Sequence, residues 1–276
     1  MKGTEDNNIF SRGITDWEVN EIVSFIHTSD FNALSCINSQ LENIAKAVNL
    51  CLDALKKGGR VIYAGAGTSG RIAVQDIAEL LPTYGIGEDM FDYIIAGGDQ
   101  AIRRSVEGAE DRKDFAVEML KEKNFRSGDV VVGITASGTT PFVVSALEFA
   151  KNAGSHTISI CNNSGRTVSK ISDVHIELLS GPEVIQGSTR MKAGTSQKMV
   201  LNIISTTVAV KMGYTYKNTM VRMQSWANDK LRKRAVNTLH QEFGISIEES
   251  TLILERVSYR IDEAVKYIQM KKDHKQ

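Results

Sequence analysis

Val61-Ile62-Tyr63-Ala64-Gly65-Ala66-Gly67-Thr68-Ser69-Gly70 runs from an apolar stretch into a turn of glycines and hydroxyls, and it decides the fold. The layout recurs where Val130-Val131-Val132-Gly133-Ile134 leads into Thr135-Ala136-Ser137-Gly138-Thr139-Thr140, and Gly187-Ser188-Thr189 precedes a long helical stretch. A glycine turn lets backbone approach an anion closely. The helix that follows adds unpaired N–H groups and the positive end of its dipole, and hydroxyls donate further hydrogen bonds. Phosphorylated small molecules are therefore the first ligand class to consider.

Working outward, β-rich apolar runs at 61–63, 91–95, 130–134, 157–160 and 174–178 alternate with helical patterns near 70–81, 101–123 and 140–153. Such alternation implies right-handed crossovers and an α/β fold, a doubly wound, mostly parallel sheet flanked by helices, with ligands at the carboxyl ends of the strands. Both hydroxyl turns fall at that edge. Pro141 fits the first turn of a helix, Pro82 closes the first site helix, and Pro182 lies in the loop before Gly187. Apolar spacing predicts helices over 14–57, a long one from Met191 to Met212 carrying Met199, Leu201, Ile203, Ile204 and Val208 inward, and a small helical unit over 237–272 capped at Ser246 or Ser250. Three segments follow: an N-terminal helical one (1–57) packed on the core, a central ligand-binding domain (58–236) and a C-terminal helical subdomain (237–276).

The chain of 276 residues is 42% hydrophobic and 24% charged, enough for an ordinary core. Its formal net charge is zero, which disfavours nucleic acid and anionic membrane surfaces as partners. Cys36, Cys51 and Cys161 lack disulfide or zinc spacing, so no metal is expected. Without a signal-like or membrane-length apolar stretch, the expected location is the cytoplasm. The basic run Asp229-Lys230-Leu231-Arg232-Lys233-Arg234 reads as a solvated helix face, and His156 and His175 as residues satisfied at strand ends.

Gly65-x-Gly67-x-x-Gly70 is also a literal match to the dinucleotide fingerprint. The acidic residue expected at the end of the second strand is missing, since Phe91–Ile95 leads into Ala96-Gly97-Gly98 before Asp99. A second hydroxyl turn also suits a monophosphate better. Tight turns and helix caps use the same residue types, but two such turns at equivalent strand ends with a third nearby go beyond that need.

Gly65–Arg71, Pro82–Gly85, Ala96–Gly98, Val106–Asp111, Asp129–Ile134, Ala136–Gly138 and Gly187–Thr195 together resemble, in order and spacing, the signature segments of the N-acetylmuramic acid 6-phosphate etherases, members of the sugar isomerase (SIS) fold group. The resemblance spans roughly 58 to 235. It implies a carbon–oxygen lyase that cleaves the lactyl ether of N-acetylmuramate 6-phosphate, with no cofactor, giving N-acetylglucosamine 6-phosphate and D-lactate in cell-wall recycling. A homodimer is implied as well. The chain departs from the pattern at Ala78-Glu79-Leu80-Leu81-Pro82, where the family has Ser-Glu-Cys-Pro-Pro, and at Thr139, where it has Arg; Thr4-Glu5-Asp6-Asn7-Asn8 keeps little of the N-terminal segment. The alternatives are a non-catalytic sugar-phosphate sensor and an amino-sugar-phosphate isomerase on the same scaffold.

An ether at a sugar C3 leaves poorly, so elimination beside a carbonyl is the sensible route, and it needs one carboxylate as base and one protonated carboxyl as acid. The family pattern maps these onto Glu110 and Glu79. Glu79, between Ala78 and Leu80-Leu81, is expected in a buried setting that keeps it protonated; Glu110, two residues after Gly108, is expected to take the C2 proton. Ser69, Thr135, Ser137 and Thr140, with the Gly67 and Gly138 turns, are expected to hold the phosphate. Thr68 and Ser188 are secondary, and Lys192 is expected to neutralise charge.

Overall fold

The computed structural model describes residues 3–223 and 229–273. The chain forms two compact units, one from residues 1–77 and 88–206 and the other from 78–87 and 207–276. The first thus joins the N-terminal helices to the sheet, and the later division falls ahead of the one expected at 236.

In the first unit, α1 (Val19–Ser35) and α2 (Leu41–Lys56) precede β1 (Val61–Gly65), which leads into α3 (Gly67–Tyr84). Then come β2 (Phe91–Ile95), α4 (Gln100–Arg103), α5 (Lys113–Glu122), β3 (Val130–Thr135), α6 (Pro141–Asn152), β4 (His156–Cys161), α7 (Thr167–Ile171), β5 (Val174–Glu177) and α8 (Lys192–Lys211). The residues of α3 from 78 on, and those of α8 from 207 on, fall in the second unit. The five strands lie in the order β2-β1-β3-β4-β5, all parallel. Every residue of β1 and β3 is buried, as expected of parallel strands covered on both faces. One face packs Ile62, Ile94 and Val131 against Phe142, Val143 and Leu147 of α6 and Leu120 of α5. On the other, Tyr63 stacks edge-on against Phe91 at 5.9 Å, and its hydroxyl donates to Asp76 of α3 at 3.5 Å.

The sequence order steps from β1 out to β2 and then back across to β3, so the chain reverses direction between β1 and β3. The carboxyl ends of these two strands flank the crevice where ligands of such sheets bind. α3 sits close to the sheet there: a Cβ on Gly70 would lie 2.6 Å from Ile95 Cγ1 and 2.9 Å from the Gly65 carbonyl oxygen. Only a glycine allows that approach.

Some elements differ from expectation. The helix read over 101–123 is interrupted by a stretch containing Gly108 (φ +70°) and a 3-10 turn at Ala109–Asp111, which places Glu110 on a loop. Pro82 lies inside α3, whose end comes at Tyr84. In α8, Leu201, Ile204 and Val208 are buried as predicted, but Ile203 is exposed and Val200 is buried beside Leu201.

The second unit contains β6 (Thr215–Tyr216), β7 (Thr219–Met220), α9 (Asp229–Phe243), α10 (Ile247–Arg256) and α11 (Ile261–Asp273). Leu239, Leu254, Ile261 and Ile268 form its core with Val221 and Met223. Ser246 caps α10 by accepting from Glu249 N at 3.0 Å, whereas Ser250 is buried inside the helix.

Candidate active site

The turns after β1 and β3 face one cavity of about 390 Å³ in the first unit. That volume is in the range of small-ligand pockets. Gly67, Thr68 and Ser69 line it from the start of α3, and Thr135, Ser137 and Thr140 from the turn ahead of α6. Pro141 opens α6 as its first residue, where its missing N–H is no loss. Two helix N-termini therefore point at one cavity and bring partial positive charge to its wall.

The two turns handle their hydroxyls differently. Thr135 Oγ1 lies 2.8 Å from Thr140 Oγ1 and 3.3 Å from Ser137 Oγ, which is itself 3.4 Å from Thr140 Oγ1. Backbone amides fix this cluster, Gly138 N donating to Thr135 Oγ1 at 3.2 Å and Thr139 N to Ser137 Oγ at 3.2 Å. Ser69 instead is buried, and its hydroxyl donates to Gln197 Oε1 of α8 at 2.8 Å. Gln197 Nε2 passes the chain on to Asn162 Oδ1, also at 2.8 Å.

Glu110 lines the cavity from its 3-10 turn, joined by Asp111 and by Glu5 of the N-terminal segment. No Lys or Arg is among the lining residues, so within this unit neutral donors and helix ends must hold an anion. Glu110 is exposed and free to meet a ligand.

Other expected residues stand elsewhere. Gly138 shapes its turn without lining the cavity, and Thr189 rather than Ser188 reaches it from the third turn. Glu79 is exposed on α3, not in the buried setting expected for it, and falls in the second unit. Lys192 turns away. Only 2% exposed, it donates through Nζ to the Pro182 carbonyl at 2.6 Å, while its backbone N–H and that of Ala193 donate to the buried carboxylate of Glu183 at 3.1 and 2.9 Å. Burial lowers the Lys192 pKa, opposed by the nearby Glu183 charge, and burial raises that of Glu183. Lys192 thus serves as an internal anchor for the loop before α8, and charge neutralisation at the phosphate is not what its geometry provides.

Sequence reasoning missed Glu5, Asp111, Thr139 and Thr189 as lining residues. Asp111 and Thr139 adjoin residues that were singled out, and Thr189 stands in a quoted turn. Glu5 lies in Thr4–Asn8, where the resemblance to the family's N-terminal segment is faint.

Residues 43–151 match the profile of the glucokinase regulatory protein N-terminal SIS domain, and 114–206 that of the SIS domain. The chain is 41% identical over 262 residues to an N-acetylmuramic acid 6-phosphate etherase of Clostridium beijerinckii, covering 95% of this chain and 86% of that protein. It is 44% identical over 270 residues to one of Pseudothermotoga lettingae, covering 98% and 90%. Among solved structures, a phosphoheptose isomerase from Francisella tularensis superposes with a TM-score of 0.52 at 20% identity, over 70% of this chain and 98% of that one. A phosphoheptose isomerase from Neisseria gonorrhoeae gives 0.51 at 17% identity, over 69% and 98%. These two share the fold.

Proposed function

The chain belongs to the N-acetylmuramic acid 6-phosphate etherase family, and from this we propose that it cleaves the D-lactyl ether of N-acetylmuramic acid 6-phosphate to N-acetylglucosamine 6-phosphate and D-lactate. The observation that carries the reading is the shared cavity, in which Glu110 faces the hydroxyl turns and two helix N-termini. The phosphate sits at the helix ends. With the sugar ring open, the C1 aldehyde acidifies the C2 proton, and Glu110 removes it as general base. The C3–O bond then breaks, the lactate oxygen takes a proton from a carboxylic acid, and water adds back at C3 of the unsaturated intermediate.

The acid is Glu79, and it comes from a second copy of the chain. Pairing would bring the Glu79 of one copy to the Glu110 of the other. A homodimer is supported by α1, whose Val19, Val23, Phe31 and Leu34 are 51 to 73% exposed, leaving an apolar face that water disfavours.

Incubation with N-acetylmuramic acid 6-phosphate should release one D-lactate per sugar. Binding of the sugar phosphate with no lactate and no isomerised product would support a sensor instead, and an isomerised product without lactate would support an isomerase. Light scattering at micromolar concentration should give the mass of a dimer; a monomer would refute the shared site.

A further inference from the structure

We propose that Glu5 is a substrate-binding residue of the cavity and that Asn163 is its positioning residue, an inference that rests on the sugar-phosphate reading above. Thr4, next to the start of the described chain, is fully buried. Its backbone N–H donates to Asn163 Oδ1 at 3.1 Å, and Asn163 Nδ2 donates back to Thr4 Oγ1 at 2.8 Å. The same Nδ2 donates to the Ala136 carbonyl at 2.9 Å, so one amide ties the N-terminal segment to the turn that follows β3. Beyond Glu5 the segment is fastened again: Gln186 Nε2 donates to the Glu5 carbonyl at 3.0 Å, and Ser11 Oγ to the Val184 carbonyl at 2.7 Å.

The backbone of Glu5 is thus held on both sides while its side chain lines the cavity. Its Oε2 lies 3.0 Å from where a Cβ on Gly187 would stand, which puts the carboxylate beside the third turn. Among the described residues it has no hydrogen-bond or ion-pair partner. A surface glutamate needs none. A glutamate strapped into a pocket by a buried amide is a different case, because the fold has fixed an acceptor there with nothing of its own to accept from.

An ionised carboxylate offers lone pairs and no proton. The ligand group facing Glu5 must therefore be a neutral donor, a sugar hydroxyl or the acetamido N–H, and the phosphate and the lactyl carboxylate are repelled from that side. With phosphate drawn to the helix N-termini, Glu5 fixes which way the sugar lies between them.

The test measures turnover of N-acetylmuramic acid 6-phosphate, and calorimetric binding of N-acetylglucosamine 6-phosphate and of inorganic phosphate, on the full chain. Glu5→Gln should weaken sugar-phosphate binding and raise KM roughly tenfold or more, the loss of one charge-assisted hydrogen bond, with kcat changed less than about twofold. Its affinity for inorganic phosphate should be unchanged or slightly higher. Asn163→Ala should reproduce the sugar-phosphate loss, and the double variant should be no worse than the worse single one. If Asn163→Ala does not fold, Thr4→Val breaks the same clamp from the other side. Unchanged sugar-phosphate binding in Glu5→Gln overturns the proposal, as does an equal loss for inorganic phosphate or additivity in the double variant. A parent chain that releases no lactate but whose Glu5→Gln variant binds the sugar phosphate tenfold more weakly would sink the lyase reading and uphold Glu5. A parent chain that binds no N-acetylglucosamine 6-phosphate overturns both.

Discussion

The turn after β3 keeps Thr135, Ser137 and Thr140 within 2.8 to 3.4 Å of one another, whereas the turn after β1 commits the Ser69 hydroxyl to Gln197 inside the protein. On paper the two turns are near repeats. In the fold the hydroxyls of the β3 turn, with that of Thr139 donating to Ser137 Oγ at 3.3 Å, bond to one another and to no side chain elsewhere in the described residues. The β1 turn contributes mainly backbone N–H groups at the head of α3, and its serine braces the turn against α8. Residue type alone does not reveal which role a hydroxyl has; its partner does.

The sharpest test of that division begins with the acid that faces both turns. Glu110→Gln should lower kcat by about 10² to 10⁴ while inorganic phosphate still binds, since neither turn has changed. Glu79→Gln should lose turnover to a similar extent. Mixing the two inactive variants should then restore about a quarter of parental activity, the statistical yield of one intact site in mixed dimers. No recovery after subunit exchange would break the shared-site reading.

Next in size, Thr140→Val and Ser137→Ala should each weaken inorganic phosphate binding roughly tenfold by calorimetry, by removing donors that are free to turn. Lys192→Met should leave phosphate affinity alone but reduce unfolding free energy by about 2 to 3 kcal/mol in denaturant titration, because the Pro182 carbonyl loses a charged donor in the interior. The smallest effect on binding belongs to Ser69→Ala, with affinity changed less than about threefold and stability down by about 1 to 2 kcal/mol as Gln197 Oε1 loses its donor. A Ser69→Ala variant that lost phosphate as badly as Thr140→Val would erase the distinction between the turns.

The sheet and its ligand edge were legible because parallel strands, buried on both faces, read as unbroken apolar runs such as Val130–Ile134. The hydroxyl turns were legible because their chemistry is local, whereas Glu110, which lines the cavity, was marked out by the family pattern and not by its neighbours. Lys192 was not, since lysine is almost always solvent-exposed and nothing near it in sequence announces the carbonyl of Pro182. Glu5 depends on a contact between residues 4 and 163, beyond any window of periodicity. The exposure of Glu79 was not legible either, since its neighbours Ala78, Leu80 and Leu81 read as apolar cover.

The tight seat of Gly70 turns α3 into a gauge of the anion site. One added methyl at Gly70 would press on the side chain of Ile95 and on the carbonyl of Gly65, and the carbonyl, being backbone, gives way only with a shift of the turn or of the opening turn of α3. The amides aimed at the ligand would tip with it. The smallest side chain the genetic code offers would thereby reshape the cavity from behind, from a position that does not itself line it.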